Sequence, residues 1–213
     1  MSARKDWAAP SGRTDVIYLA GGCFWGVEHL FRRLGGVVGT TVGYANGTGE
    51  KDALYPVVCA GGTGFRETVR VEYDPTLTTP DVLLYAFFEV IDPTLVNRQG
   101  NDTGEQYQAG VFWEPGDDHV AAEVTRICDY VRSQTPGFAV EVKPLKNFFA
   151  AEEYHQDYLV KNPSGYCHVP FARIEQLAGA NIDPDHYRKL AAGKDAAASG
   201  EPAAARPSEE TPQ

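Results

Sequence analysis

A chain of 213 residues with 43% hydrophobic side chains is long enough to bury one substantial core, so one domain is the leading expectation. The formal net charge of -10 argues against a sequence-independent grip on nucleic acid, which needs clustered Lys and Arg to neutralise phosphates. No apolar run approaches the roughly 18 residues of a membrane span, and MSARKDWAAPSGRTD lacks the apolar stretch of a secretory signal, so the expected setting is the cytoplasm, away from membranes.

Residues 1–13 read as a flexible N-terminal segment ahead of a folded unit at 14–190. Val16 to Ala20 is a short buried strand, and Gly21-Gly22 turns it into a helix that starts near Cys23 or Phe24. Phe24, Val27, Leu30, Phe31 and Leu34 recur at helical spacing before Gly35-Gly36 ends the element. Val37 to Tyr44 is a second strand and ANGTG a turn. From Phe65 to Tyr73 the pattern alternates. Phe65, Glu67, Val69, Val71 and Tyr73 share one face while Arg66, Thr68, Arg70 and Glu72 share the other, which sets an acid on an apolar face. Thr79-Pro80 supplies an N-cap and a first-turn proline for an apolar helix through about Val90, and DPTLVNRQGNDTGEQ follows as a long polar loop.

Gln108 to Trp113 is another strand, His119 to Arg132 a helix with Val120, Val124, Ile127, Cys128 and Val131 on one face, and Phe138 to Val142 a further strand. The segment AEEYHQDYL reads as helical, KNPSGYCHVP as a loop, and the last helices fall around Phe171 to Leu177 and Pro184 to Leu190. Residues 191–213 are rich in Ala, Pro, Ser and Glu, without an aromatic or large aliphatic side chain, and read as a disordered tail. Strands separated by helices, with several helices toward the C-terminus, point to an α+β domain on one mixed sheet. Strand order does not follow from the sequence.

Cys23, Cys59, Cys128 and Cys167 are scattered, with no C-x-x-C pair and no zinc-like spacing, so no metal site is expected. In a reducing compartment any bridge between them is expected to be transient and catalytic. Cys23 stands at a helix N-terminus, whose unpaired N–H groups and positive dipole end pull a thiol pKa toward neutrality. Gly21, Gly22 and Gly26 leave the sulfur approachable, and Phe24 with Trp25 offers an apolar surface for a small group. Glu67 among apolar neighbours is expected to have a raised pKa and to serve as an acid; the alternative is that it reaches solvent at the strand's start and titrates normally. Cys59 and Cys128 lie in apolar surroundings and read as core. Cys167, in a Pro-Ser-Gly loop, is the best candidate for a second, resolving thiol. His155, His168, Glu152 and Glu153 fit no metal pattern and read as surface or supporting residues, while Asp102 and Tyr107 lie on or beside the polar loop. A cysteine hydrolase needs a His base near the thiol, and His29 projects poorly for that. A thiol peroxidase, or a module that holds a methyl group in the aromatic pocket, stays open from the residues alone.

GCFWG at 22–26, GYANG at 43–47, Tyr55, TGFRE at 63–67, YDP at 73–75, DPT and NRQGND within 92–102, QY at 106–107, AEEYHQDYL at 151–159 and NPSGYC at 162–167 together resemble the peptide-methionine (S)-S-oxide reductase family, in order and with compatible spacing from about Ile17 to Cys167. The resemblance implies a two-layer α+β sandwich with a mixed central sheet flanked by helices. It also implies reduction of the S epimer of methionine sulfoxide, in oxidised proteins or as the free amino acid, without a metal or organic cofactor and with thioredoxin as reductant. Carried over by position, Cys23 is the nucleophile and Glu67 the acid that protonates the sulfoxide oxygen. Tyr55 and Tyr107 bond that oxygen, Asp102 supports the thiolate, Phe24 and Trp25 hold the methyl group, and Cys167 is the resolving thiol. A monomer is expected. Phe65-Arg66 and Ile91 depart from the commoner His-Ala and His of the family pattern, and Arg66 is expected to point away from Glu67.

Overall fold

The computed structural model describes residues 12–199. A six-stranded sheet forms the centre, made by β1 (Asp15–Ala20), β2 (Val37–Ala45), β3 (Arg66–Tyr73), β6 (Gly110–Trp113), β7 (Glu141–Pro144) and β8 (Phe148–Ala150) in the spatial order β7-β6-β1-β3-β2-β8. Every neighbouring pair is antiparallel except β6 and β7, so the sheet is mixed, as the sequence pattern predicts. A two-residue hairpin, β4 (Arg98–Gln99) with β5 (Asp102–Thr103), folds inside the loop that the sequence shows only as polar.

Alternation along the central strands separates two layers. Ile17 and Leu19 of β1, Val69, Val71 and Tyr73 of β3, and Val111 of β6 join one large core with Phe24, Val27, Leu30 and Phe31 of α1 (Phe24–Phe31), Leu83, Leu84 and Phe87 of α3 (Pro80–Phe88), and Val120, Val124 and Ile127 of α4 (Asp118–Gln134). Each such fully buried apolar side chain contributes about 1.5–3 kcal/mol of transfer free energy, which ties the helical layer to the sheet. The opposite face carries only a small cluster, Tyr18, Ala20, Ala45 and Phe112 under Leu145. The α+β architecture with a mixed sheet matches the expectation.

Several local readings need correction. The helix after Gly22 ends at Phe31, with Arg32 as its C-cap, rather than running to Leu34. Thr79 has the extended backbone of an N-cap before Pro80, but its hydroxyl donates to the Pro184 carbonyl at 2.9 Å and accepts no N–H of its own helix. The Asp117 carboxylate caps α4 through the Val120 N–H at 3.0 Å. α2 (Tyr55–Ala60) and β8 are too short to show periodicity, and β7 lies three residues later in the chain than Phe138. The segment AEEYHQDYL is a series of turns ending in α5 (Tyr158–Lys161). After α6 (Phe171–Gly179) comes α7 (His186–Ser199), which continues past Leu190 into the segment read as tail; residues 1–11 and 200–213 lie outside the described residues. Among the described residues no helix is long and apolar enough to cross a membrane.

Candidate active site

The end of β1 delivers the chain to α1 through Gly21 and Gly22. Gly22 has φ +86, and a Cβ there would lie 2.6 Å from the Cβ of Gln99, so only glycine lets the β4–β5 hairpin close over the turn. Cys23 then takes the N-cap position, and its side chain is 6% exposed. The site uses the unpaired amides at the helix start: the Phe24 N–H donates to Glu67 Oε2 at 3.1 Å, and the Trp25 N–H favours the Cys23 thiolate without a formed cap hydrogen bond to the thiol.

Glu67 comes from β3, opposite Tyr44 of β2, and is 2% exposed on the apolar face of the strand. Burial is the largest influence on its carboxyl, the Phe24 N–H opposes it, and the charge of Asp102 adds to it; the result is a pKa pushed up to about 8. Arg66 does not offset this, because its guanidinium pairs with Glu141 at 2.9 Å. The alternative of a solvated Glu67 is thereby excluded.

Cys23 departs from the expectation of a thiol drawn toward neutrality. Its pKa is raised well above the ordinary value, by burial first and then by the Glu67 charge, with the Trp25 N–H opposing. A helix terminus contributes roughly 0.3–1 kcal/mol. Removing a thiolate from water shifts a pKa by up to several units, so desolvation wins. At neutral pH the site therefore rests as a thiol beside a neutral carboxyl.

Around this pair lies a cavity of about 130 Å³ walled by Phe24, Trp25, Tyr55, Asp102, Tyr107 and Tyr166. Burial raises the Tyr107 hydroxyl, with the charges of Glu67 and Cys23 adding to it, so it stays a hydrogen-bond donor. Tyr55 is raised by burial too, with the Cys59 thiol one turn later adding to it. Cys59 is not a core residue. It is exposed, because α2 anchors itself through Val58 and turns the next residue outward. Cys128 is buried as expected, and burial pushes its thiol up to about 12.

The aromatic wall is held from behind by the segment at 151–159. Trp25 stacks on Tyr158 with ring centres 3.7 Å apart, and its Nε1–H donates to His155 Nδ1 at 3.1 Å. His155 is buried against Phe24 and Tyr55 as well. Glu152 accepts from the Tyr44 hydroxyl at 2.9 Å and the Tyr55 N–H at 2.8 Å, and Gln156 pairs with both backbone groups of Val42 at 2.9 Å. These side chains satisfy buried donors and acceptors. Loss of one such bond amounts to about 0.5–1.5 kcal/mol. His155→Phe is therefore expected to raise KM for the substrate about three- to tenfold with a smaller change in kcat, measured by steady-state kinetics.

The loop before α6 brings Cys167 onto the first turn of α1. A Cβ on Gly26 would lie 3.0 Å from its sulfur, so glycine at that position admits the second thiol beside the Cys23 turn. Burial raises the Cys167 thiol, with the Val169 N–H opposing, and the nearness of the two thiols is felt as a Cys167 contribution to the raised Cys23 pKa. Tyr166, which the sequence reading did not single out, donates its hydroxyl to Asp102 Oδ1 at 3.0 Å across the cavity mouth, while Asp102 Oδ2 is buried without a partner. His29 is buried against Phe171, outside the cavity lining. All eight residues nominated from the sequence are thus gathered at one place: seven line the cavity and Cys167 adjoins it. Among the described residues no group of three or more His, Cys, Asp or Glu side chains is arranged to hold a metal ion.

The sequence profile of the family described as peptide methionine sulfoxide reductase matches residues 15–185. The peptide methionine sulfoxide reductase MsrA of Clostridium acetobutylicum is 46% identical over 154 residues, covering 72% of this chain and 94% of that protein; the MsrA of Mycoplasma pneumoniae is 46% identical over 156 residues, covering 73% and 98%. Among solved structures, Saccharomyces cerevisiae Mxr1 in reduced form aligns with a TM-score of 0.67 at 38% identity, covering 76% of this chain and 93% of that one. Methionine sulfoxide reductase A of Corynebacterium diphtheriae aligns at 0.64 and 37% identity, covering 73% and 79%. With a thiol, a neutral buried acid and an aromatic cavity already assembled, the match over most of its length places this chain in the peptide methionine sulfoxide reductase family.

Proposed function

We propose that the chain reduces the S epimer of methionine sulfoxide, protein-bound or free, through Cys23, and that thioredoxin restores it. The observation that carries this reading is Glu67, buried beside Cys23 with its pKa pushed up to about 8, which keeps a proton ready at neutral pH in a site built around a nucleophilic sulfur.

The sulfoxide methyl packs against Phe24 and Trp25, and the oxygen points to Glu67 and Tyr107. Tyr55, also in the cavity wall, donates to that oxygen. Glu67 protonates the oxygen as the Cys23 sulfur attacks the substrate sulfur, and the proton of the thiol returns to Glu67. In net terms one oxygen passes from the substrate to Cys23, two electrons pass the other way, and methionine leaves with Cys23 as a sulfenic acid. Fixing the methyl, the oxygen and the line of attack at a tetrahedral sulfur leaves one direction for the rest of the substrate, so only one epimer fits the open side; the family resemblance supplies which. Cys167 then attacks the sulfenic sulfur to give a disulfide and water, and a dithiol such as thioredoxin reduces it by exchange. No step calls for a metal or organic cofactor.

Purified protein with dithiothreitol and each epimer tests this: release of methionine from the S epimer alone is expected, and failure to reduce it with thiols intact overturns the reading. Cys167→Ser is expected to release one methionine per protein and then stall with thioredoxin. Continued thioredoxin-driven turnover would move the resolving role to another thiol.

A further inference from the structure

We propose that His168 is the proton acceptor for the resolving thiol, a role that rests on the reading of Cys167 given above. The His168 ring is held on the α1 turn by one hydrogen bond, from Nε2 to the Gly21 carbonyl at 2.9 Å. A carbonyl accepts only, so Nε2 carries the hydrogen and the neutral ring leaves Nδ1 as a bare lone pair. That Nδ1 is buried without a partner. It lies over the same residue as the thiol, since a Cβ on Gly26 would be 3.0 Å from Cys167 Sγ and 3.3 Å from His168 Nδ1, with no hydrogen bond between the two in the resting site. The resolving sulfur and an unused base therefore meet over one glycine, next to the turn that carries Cys23.

The surroundings favour a base over a permanent cation. Burial lowers the pKa of His168, so the ring is neutral at pH 7, while the charge of Asp102 and the bond to Gly21 favour an imidazolium once a proton arrives. Asp102, Cys167, Cys23, Glu67 and Tyr166 are titratable groups around this junction. Cys167 needs the help. Its thiol is raised by burial, with the Val169 N–H opposing, so little thiolate exists at neutral pH.

In the step itself the Cys167 thiol gives its proton to His168 Nδ1 as its sulfur bonds to the sulfur of the Cys23 sulfenic acid. The S–O bond breaks, and the oxygen leaves as water with the proton of Glu67. His168 then loses its proton to solvent and Glu67 regains one. Cys23 sulfur is reduced from sulfenic acid to disulfide as Cys167 is oxidised from thiol to disulfide, so no outside oxidant or reductant enters.

His168→Gln tests the assignment, because the glutamine amide keeps an N–H for the Gly21 carbonyl and has no base. Single-turnover mixing with the S epimer, quenched at intervals, reads methionine release and Cys23–Cys167 disulfide formation separately across pH 5 to 9. Wild-type disulfide formation is expected to rise as His168 loses its proton below pH 6.5, level, and then fall as Glu67, the donor to the leaving oxygen, ionises near pH 8. In His168→Gln the methionine burst is kept, while disulfide formation falls at least about tenfold at pH 7, and the rise below pH 6.5 gives way to a climb with the Cys167 thiolate fraction up to the ionisation of Glu67 near pH 8. A wild-type rate and profile in the variant overturns the proposal, as does an equal loss in both steps with the pH profile unchanged, which marks a structural role. If the wild type forms no Cys23–Cys167 disulfide, it is the resolving role of Cys167 that fails, before His168 is in question.

Discussion

Cys23→Ser is expected to leave no measurable reduction of methionine sulfoxide, by chromatographic assay of methionine, while the protein melts close to the wild-type temperature. A serine is smaller than the cysteine it replaces and is among the favoured N-cap residues, so local structure survives. The chemistry does not. Taking up the sulfoxide oxygen requires an atom that is readily oxidised by two electrons, and the serine oxygen is not one. No other thiol substitutes: Cys128 lies in the core, Cys59 faces outward from α2, and Cys167 lies over Gly26 without a carboxyl of its own. Residual turnover above a few per cent of wild type would place the nucleophile elsewhere.

Glu67→Gln is expected to lower kcat by about 10²- to 10⁴-fold, the usual loss for a positioned acid. Glutamine keeps an oxygen for the Phe24 N–H, so the loss reports the missing proton rather than a disturbed helix start. The wild-type rate should fall as Glu67 ionises near pH 8, and the variant should lose that fall. Stability should move the other way. An acid whose pKa is raised from an ordinary 4.5 to about 8 is protonated in both states below 4.5 and ionised only in the unfolded state between the two values. Folding therefore weakens by roughly 1.4 kcal/mol per pH unit across that window and levels above it. Glu67→Gln removes the penalty, so denaturant melts should show the variant gaining on the wild type from about pH 5 to pH 8. A gap that stays constant with pH would mean that Glu67 is solvated.

The parts of the site legible in the sequence were those with a simple period or a sharp local signal. Alternation from Phe65 to Tyr73 was enough to put Glu67 on the buried face, since a side chain on a strand has only two directions. Gly-Gly before a helical pattern was enough to put Cys23 at a helix start. The raised pKa of Cys23 was not legible, because it follows from how completely β3 and the β4–β5 hairpin enclose the sulfur, which is a property of packing. Cys59 is exposed for a related reason: its sequence neighbours are apolar, yet α2 is barely more than one turn and faces it outward. AEEYHQDYL reads as helical, and its polar side chains instead bond the distant strand β2, where tertiary partners override local preference. Tyr166 and His168 acquire meaning only once the loop is laid over α1.

The central claim is that Cys23 takes the oxygen of the sulfoxide, and Cys167→Ser isolates that event. Mixed with excess S epimer and no reductant, this variant should release one methionine per protein, and mass spectrometry should find Cys23 alone trapped by a sulfenic-acid-specific nucleophile. Methionine released with Cys23 unmodified, or modification at Cys59 or Cys128 instead, would contradict the account.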